Sequence, residues 1–257
     1  MARSLLVALA LCLGASVSAA EREIIVAAAS DLKFAMDELA ADFQKGHPDV
    51  SVRVSYGSSG NFFAQLSQKA PFDLFFSADA QYPRRLEAEG HALADSVFLY
   101  AVGRLVVWVP RSLPVDLEKA GLKALLEPNI KKVAIANPRH APYGRAAEAA
   151  LKHAGLYASV QPKLVFGENV AQAAQFAESG AADAGLIAYS LALAPAMQKA
   201  GRFSPIPLEA YPRMEQGGLI LKWTKQEATA RAFREYVLGA AGRAILRRWG
   251  FSLPEGR

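Results

Sequence analysis

The chain has 257 residues with a formal net charge of +5, 52% hydrophobic and 21% charged residues. That balance supports buried cores and excludes a disordered chain, and the length suits one large domain or two lobes. The basic excess forms no run interleaved with aromatic residues, which argues against nucleic acid, and the single cysteine, Cys12, excludes disulfides elsewhere in the chain.

Residues 1–20 read as a signal peptide: Arg3, an apolar run over 5–11, and small residues Ser18, Ala19 and Ala20 before Glu21. The run is too short for a comfortable membrane span. Leu11 is not the small residue that a lipid anchor on Cys12 would want. A secreted, periplasmic protein is expected.

Residues 21–29 predict a first strand, apolar almost throughout, as a strand buried on both faces should be. Ser30 or Asp31 is expected to cap the following helix, in which Phe34, Leu39 and Phe43 recur at helical spacing. A second strand over 50–56 runs into Gly57-Ser58-Ser59-Gly60 and another helix. Residues 72–79 predict a buried strand with a polar exit, followed by a helix over 82–89. The apolar stretch 97–110, interrupted at Gly103-Arg104, is the expected crossing from one lobe to the other.

Strands are predicted again over 133–138, 163–167 and 184–189. Ala141-Pro142-Tyr143-Gly144 opens a helix that Gly155 stops, and Glu168-Asn169-Val170 opens another that Gly180 ends. Two amphipathic helices over 222–250 are expected to return to the first lobe. Alternating strands and helices make the fold class α/β, with mainly parallel sheets and flanking helices. The expected organisation is 21–102 plus 213–257 as lobe 1 and 103–212 as lobe 2, with a ligand cleft between them.

Four corners share one design: a strand end, small polar residues, then a helix start. They carry Ser30 and Asp31, Ser58 and Ser59, Tyr143, and Val170. Serine hydroxyls and unpaired N–H groups at helix N-termini favour negative charge, and ligands of open α/β sheets sit beyond the carboxyl ends of strands. Convergence of the four would make a site for a small, multiply charged anion. Each serine could equally be a plain helix cap, and Tyr143 a half-buried core tyrosine. No lysine or arginine occupies the Ser30, Ser59 or Val170 corners, so neutral dipoles must do the holding. Asp31 either turns its side chain away from the anion or accepts a proton from a protonated oxyanion such as hydrogen phosphate.

Enzyme signals are weak. Ser30-Asp31-Leu32-Lys33 matches S-x-x-K, the pattern of penicillin-recognising serine enzymes, but no K-T-G or S-D-N accompanies it. The four histidines have no metal-ligand spacing.

Taken together, residues 28–32, the 57–60 corner, 70–79, Asn137-Pro138 with 141–144, 168–170 and the ending 248–251 resemble the periplasmic molybdate-binding proteins of molybdate ABC transporters, of type II periplasmic binding-protein fold. The resemblance implies a two-lobed receptor that takes molybdate, and tungstate too, as ligand, with no cofactor and no metal ion held directly. It implies hydroxyl donors at Ser30 and Ser59 and backbone N–H groups at Tyr143 and Val170. Some members supply a tyrosine hydroxyl near position 188; here Ala188 fills that place and Tyr143 the earlier one, and the role of Tyr189 stays open. The implied partner is the membrane permease of an ABC transporter, and the receptor a monomer. The rival readings are a phosphate or sulfate receptor, a secreted sensor, and a Ser30/Lys33 acyl-transfer enzyme.

Overall fold

The structure is a computed structural model that describes residues 22–254; the expected signal peptide lies outside them. Among the described residues ten strands make two sheets. They are β1 (Arg22–Ala29), β2 (Val50–Gly57), β3 (Leu74–Ser77), β4 (Phe98–Gly103), β5 (Leu105–Pro110), β6 (Val133–Ala136), β7 (Leu164–Gly167), β8 (Ala184–Ala188), β9 (Gly201–Pro205) and β10 (Met214–Ile220). The first sheet has the order β2-β1-β3-β10-β4, the second β7-β6-β8-β5-β9. Only Arg104 separates β4 from β5, so the chain passes from one sheet to the other there, and it returns between β9 and β10.

In the first sheet β1 runs parallel to β2 and β3, while β10 is antiparallel to β3 and β4. In the second, β6 is parallel to β7 and β8, and β5 is antiparallel to β8 and β9. The sheets are therefore mixed, not mainly parallel. The strands that reverse direction, β5 and β10, are the first after each crossing. β9 and β10 carry no alternating pattern and were not expected as strands.

The central strands of the first sheet bury both faces, which is why they read as continuous apolar runs. Val26, Ala28, Leu74 and Phe76 meet Leu39 and Phe43 of the helix Lys33–Gly46, with Phe233 and Leu246 of the two C-terminal helices. Ala27, Phe75 and Leu219 face the other way, onto Phe62 and Leu66 of the helix Ser59–Ser67 and Leu86. Each fully buried Phe or Leu contributes about 1.5–3 kcal/mol over its exposed state. The second sheet builds one core around Val107, Trp108 and Ile135, with Trp108 Nε1 donating to the Met197 carbonyl at 3.1 Å. Ala29 and Ala78, from strand ends of the first sheet, join that second core. The two lobes thus touch at the carboxyl ends of their parallel strands.

Candidate functional site

The four corners meet. Ser30, Asp31, Ser58, Ser59, Tyr143 and Val170, with Ala29, Gly57, Ala78, Ala141 and Pro142, line one small hollow between the lobes. All six candidate residues are at least 96% buried. Larger clefts open on the surface nearby, but they are lined by charges of both signs, such as Asp79, Arg84 and Arg145, and lie open to water.

Three helices begin at the hollow: Ser59–Ser67, Pro142–His153 and Val170–Glu178. Ser59 and Val170 hold the first position of their helices and Tyr143 the second, where an N–H has no intrahelical acceptor and the helix dipole is positive. Pro142 suits the first turn because it lacks the N–H that would be orphaned there. Asn169 caps its helix by accepting from Gln172 N at 3.0 Å, and Gln172 Oε1 accepts from Glu168 N at 2.7 Å, which fixes Val170 at the rim.

The two outer serines are turned into donors. Ser59 Oγ accepts from the Ala78 N–H at 2.9 Å, so its own proton is left to place, and the hollow lies in front of it. Ser30 Oγ accepts from the Ala171 N–H at 3.3 Å, across the cleft. Ser30 does not cap its own helix, contrary to the sequence expectation: Ser30–Leu32 forms a 3-10 turn ahead of Lys33–Gly46, without any side-chain cap. Its oxygen accepts from the other lobe instead, and its proton is left to donate.

Ser58 differs. It is the true cap of Ser59–Ser67, accepting weakly from Asn61 N at 3.4 Å, and its Oγ lies 2.9 Å from His140 Nδ1 of the second lobe. Its hydroxyl is thereby committed to capping and to the lobe–lobe contact, although the residue borders the hollow. Tyr143 also departs from expectation. Its hydroxyl approaches Gln216 Nε2, at 3.5 Å, and joins a buried group with Asp31. Burial and the Asp31 charge raise its pKa well above the ordinary phenol value. Tyr189 does not line the hollow; it stacks edge-on against Phe203, at 5.4 Å between ring centroids.

Asp31 turns its carboxylate toward Gln216. The Gln216 amide donates to Asp31 Oδ2 at 2.6 Å, and the Tyr100 hydroxyl lies 2.9 Å from Gln216 Oε1, which fixes which way the amide points. Asp31 Oδ1 is buried without a partner. Burial pushes the Asp31 pKa up to about 6, against the Gln216 hydrogen bond and the nearby Tyr143 hydroxyl, which favour the ionised form. Gln216 and Tyr100 were missed from the sequence, since neither stands at a corner; only the fold brings them behind one.

Among the described residues no lysine or arginine lines the hollow. Lys33 instead pairs with Asp37 at 3.4 Å and lies over the Tyr56 ring, and no hydrogen bond joins it to Ser30 among the described residues. Around the hollow the lobes are tied by several bonds. Gly60 N donates to the His140 carbonyl at 2.9 Å, Asn61 Nδ2 to Glu168 Oε1 at 3.1 Å, Arg145 Nη2 to Asp79 Oδ2 at 2.7 Å, and Ser190 Oγ to the Asp31 carbonyl at 2.7 Å. Among the described residues no cluster of three His, Cys, Asp or Glu is placed to hold a metal ion, and no helix is long and apolar enough to cross a membrane.

A donor-lined pocket between two lobes suits a small anion, and comparison with known proteins gives the chain a family. The model of the bacterial extracellular solute-binding proteins matches residues 24–252. This chain belongs to that family. A solute-binding protein of Rhodobacter capsulatus, the molybdate-binding protein ModA, is 37% identical over 95% of this chain and 94% of its own length. ModA of Azotobacter vinelandii is 35% identical over 90% of each chain. A solved structure of the Azotobacter periplasmic molybdate-binding protein superposes with a TM-score of 0.84 at 34% identity, covering 90% of this chain and all of that one. The two-lobed solute-binding fold expected from the sequence is thus the fold found.

Proposed function

We propose that this solute-binding protein captures molybdate, and tungstate with it, in the hollow between its lobes and hands it to a membrane permease for import, working in the periplasm as a monomer and without a catalytic step. The observation that carries the reading is the pair of serines, Ser30 and Ser59, whose oxygens already accept backbone N–H groups and whose protons are left for a ligand. With the first-turn N–H groups of Ser59, Tyr143 and Val170 they offer several charge-assisted bonds, each contributing about 1.5–3 kcal/mol. The relatives named for molybdate are in agreement with it. Donors come from both lobes, so a bound anion favours the closed state. A shorter anion such as sulfate could not reach all of them at once. Calorimetric titration with molybdate, tungstate, sulfate and phosphate tests this: the first two should bind tightly and the last two weakly.

A second reading, a phosphate receptor, draws on one observation: the unpartnered Asp31 Oδ1 could accept the proton of hydrogen phosphate. Phosphate binding tighter than molybdate binding in the same series would favour it.

A further inference from the structure

Among the described residues Asp31 is the one charged residue lining the hollow, and its position looks wrong for a receptor of dianions. It is 99% buried, one oxygen is held by Gln216 and the other has no partner, and no cation among the described residues compensates it. A buried carboxylate on a residue that lines a site for a dianion sets two negative groups close together in a dry interior. A proton placed on Asp31 removes both problems, because a neutral carboxyl neither repels the anion nor lacks a donor for it.

We infer that the cavity closes on its oxyanion together with one proton, taken from solvent and held by Asp31 on the oxygen that has no protein partner. The inference rests on the oxyanion reading above and adds a proton to the bound state. The charge balance is simple: a dianion and a carboxylate enter the closed site with one proton, and the enclosed charge falls from −3 to −2.

Among the described residues few other titratable groups lie near Asp31. β10 supplies the Gln216 amide, which does not titrate. β4 supplies Tyr100 and the helix Pro142–His153 supplies Tyr143, both phenols that burial and the Asp31 charge raise well above their ordinary value. Ser190 approaches only the Asp31 carbonyl. The one imidazole bonded to a lining residue is His140, through Ser58, and it is the competing titratable group.

The test is calorimetric titration of the full mature protein with molybdate at pH 7.5, in buffers of differing ionisation enthalpy, which counts protons taken up. Affinity is followed in parallel from pH 6.5 to 8.5. The wild type should take up close to one proton at the upper end and lose affinity by about tenfold per pH unit there. Asp31→Asn, isosteric and always neutral, should bind molybdate with no proton uptake and a flat profile. Uptake that persists in Asp31→Asn would assign the proton to His140 and overturn the proposal. Molybdate binding by the wild type without proton uptake would overturn the proposal alone and leave the receptor reading standing. Failure of all four oxyanions to bind would overturn the receptor reading, and the proton with it.

Discussion

Gly60 offers a way to separate closure from ligand contact. It sits in the first turn of Ser59–Ser67, and its N–H donates to the His140 carbonyl of the other lobe at 2.9 Å. A Cβ at this position would stand 2.6 Å from that carbonyl oxygen and 3.0 Å from His140 Cα. Those are mostly backbone atoms, so they cannot swing aside, and Gly60→Ala must hold the lobes apart. The lost hydrogen bond costs about 0.5–1.5 kcal/mol and the overpacked contact about 1–3 kcal/mol. The sum, about 1.5–4.5 kcal/mol, falls on the closed state and should weaken molybdate binding roughly tenfold to over a thousandfold. The open protein should not suffer, because alanine is a better helix former than glycine by up to about 1 kcal/mol. Calorimetry, a melting curve without ligand, and small-angle scattering with and without molybdate together read the outcome. The expected result is weak binding, an undiminished melting temperature and no compaction on adding ligand. Binding within about threefold of wild type, with normal compaction, would refute the argument that these lobes must meet at Gly60.

Three further outcomes follow from the same geometry. Ser59→Ala removes a donor from the hollow and should weaken molybdate binding by about 1.5–3 kcal/mol, measured by titration; Ser58→Ala should cost less, since its hydroxyl is committed to Asn61 and His140. Asp31 has a folded pKa raised to about 6 from 3.8, so the folded state binds the proton more tightly than the unfolded chain, and stability falls as pH rises from about 4 to 6. Denaturant unfolding across that window should show the wild type losing roughly 2–3 kcal/mol relative to Asp31→Asn. Tyr143→Phe removes a hydroxyl close to Asp31 that favours its ionised form and should move the same transition to higher pH, with a smaller loss of molybdate affinity than Ser59→Ala; parallel pH–stability curves and titrations of the two variants check it.

Much of this protein was legible in its sequence, because local physics dictated it. The strands β1 and β3 announce themselves as unbroken apolar runs since both faces are covered, and the small polar corners mark where helices begin. Ser59 and Val170 were identifiable as first-turn residues without any knowledge of what lay opposite. What could not be read was partnership. β10, with the sequence Met-Glu-Gln-Gly-Gly-Leu-Ile, has no alternation; it is a strand because β3 and β4 flank it, and because Gly218 admits the Phe98 ring and the Phe75 carbonyl where a Cβ would stand 2.5–2.6 Å from them. That strand carries Gln216, so the partner of Asp31 was hidden along with it.

The sequence by itself determined the α/β class and the residues at each corner, since propensity, capping and burial act over a few neighbouring positions. Tertiary structure alone decided that Ser30 serves the opposite lobe rather than its own helix, that Tyr143 turns to Gln216, and that Asp31 is left with an empty oxygen. Those are hydrogen bonds between groups 73 to 185 positions apart or the lack of one, and no local rule sets the direction of a side chain whose neighbours arrive from another lobe.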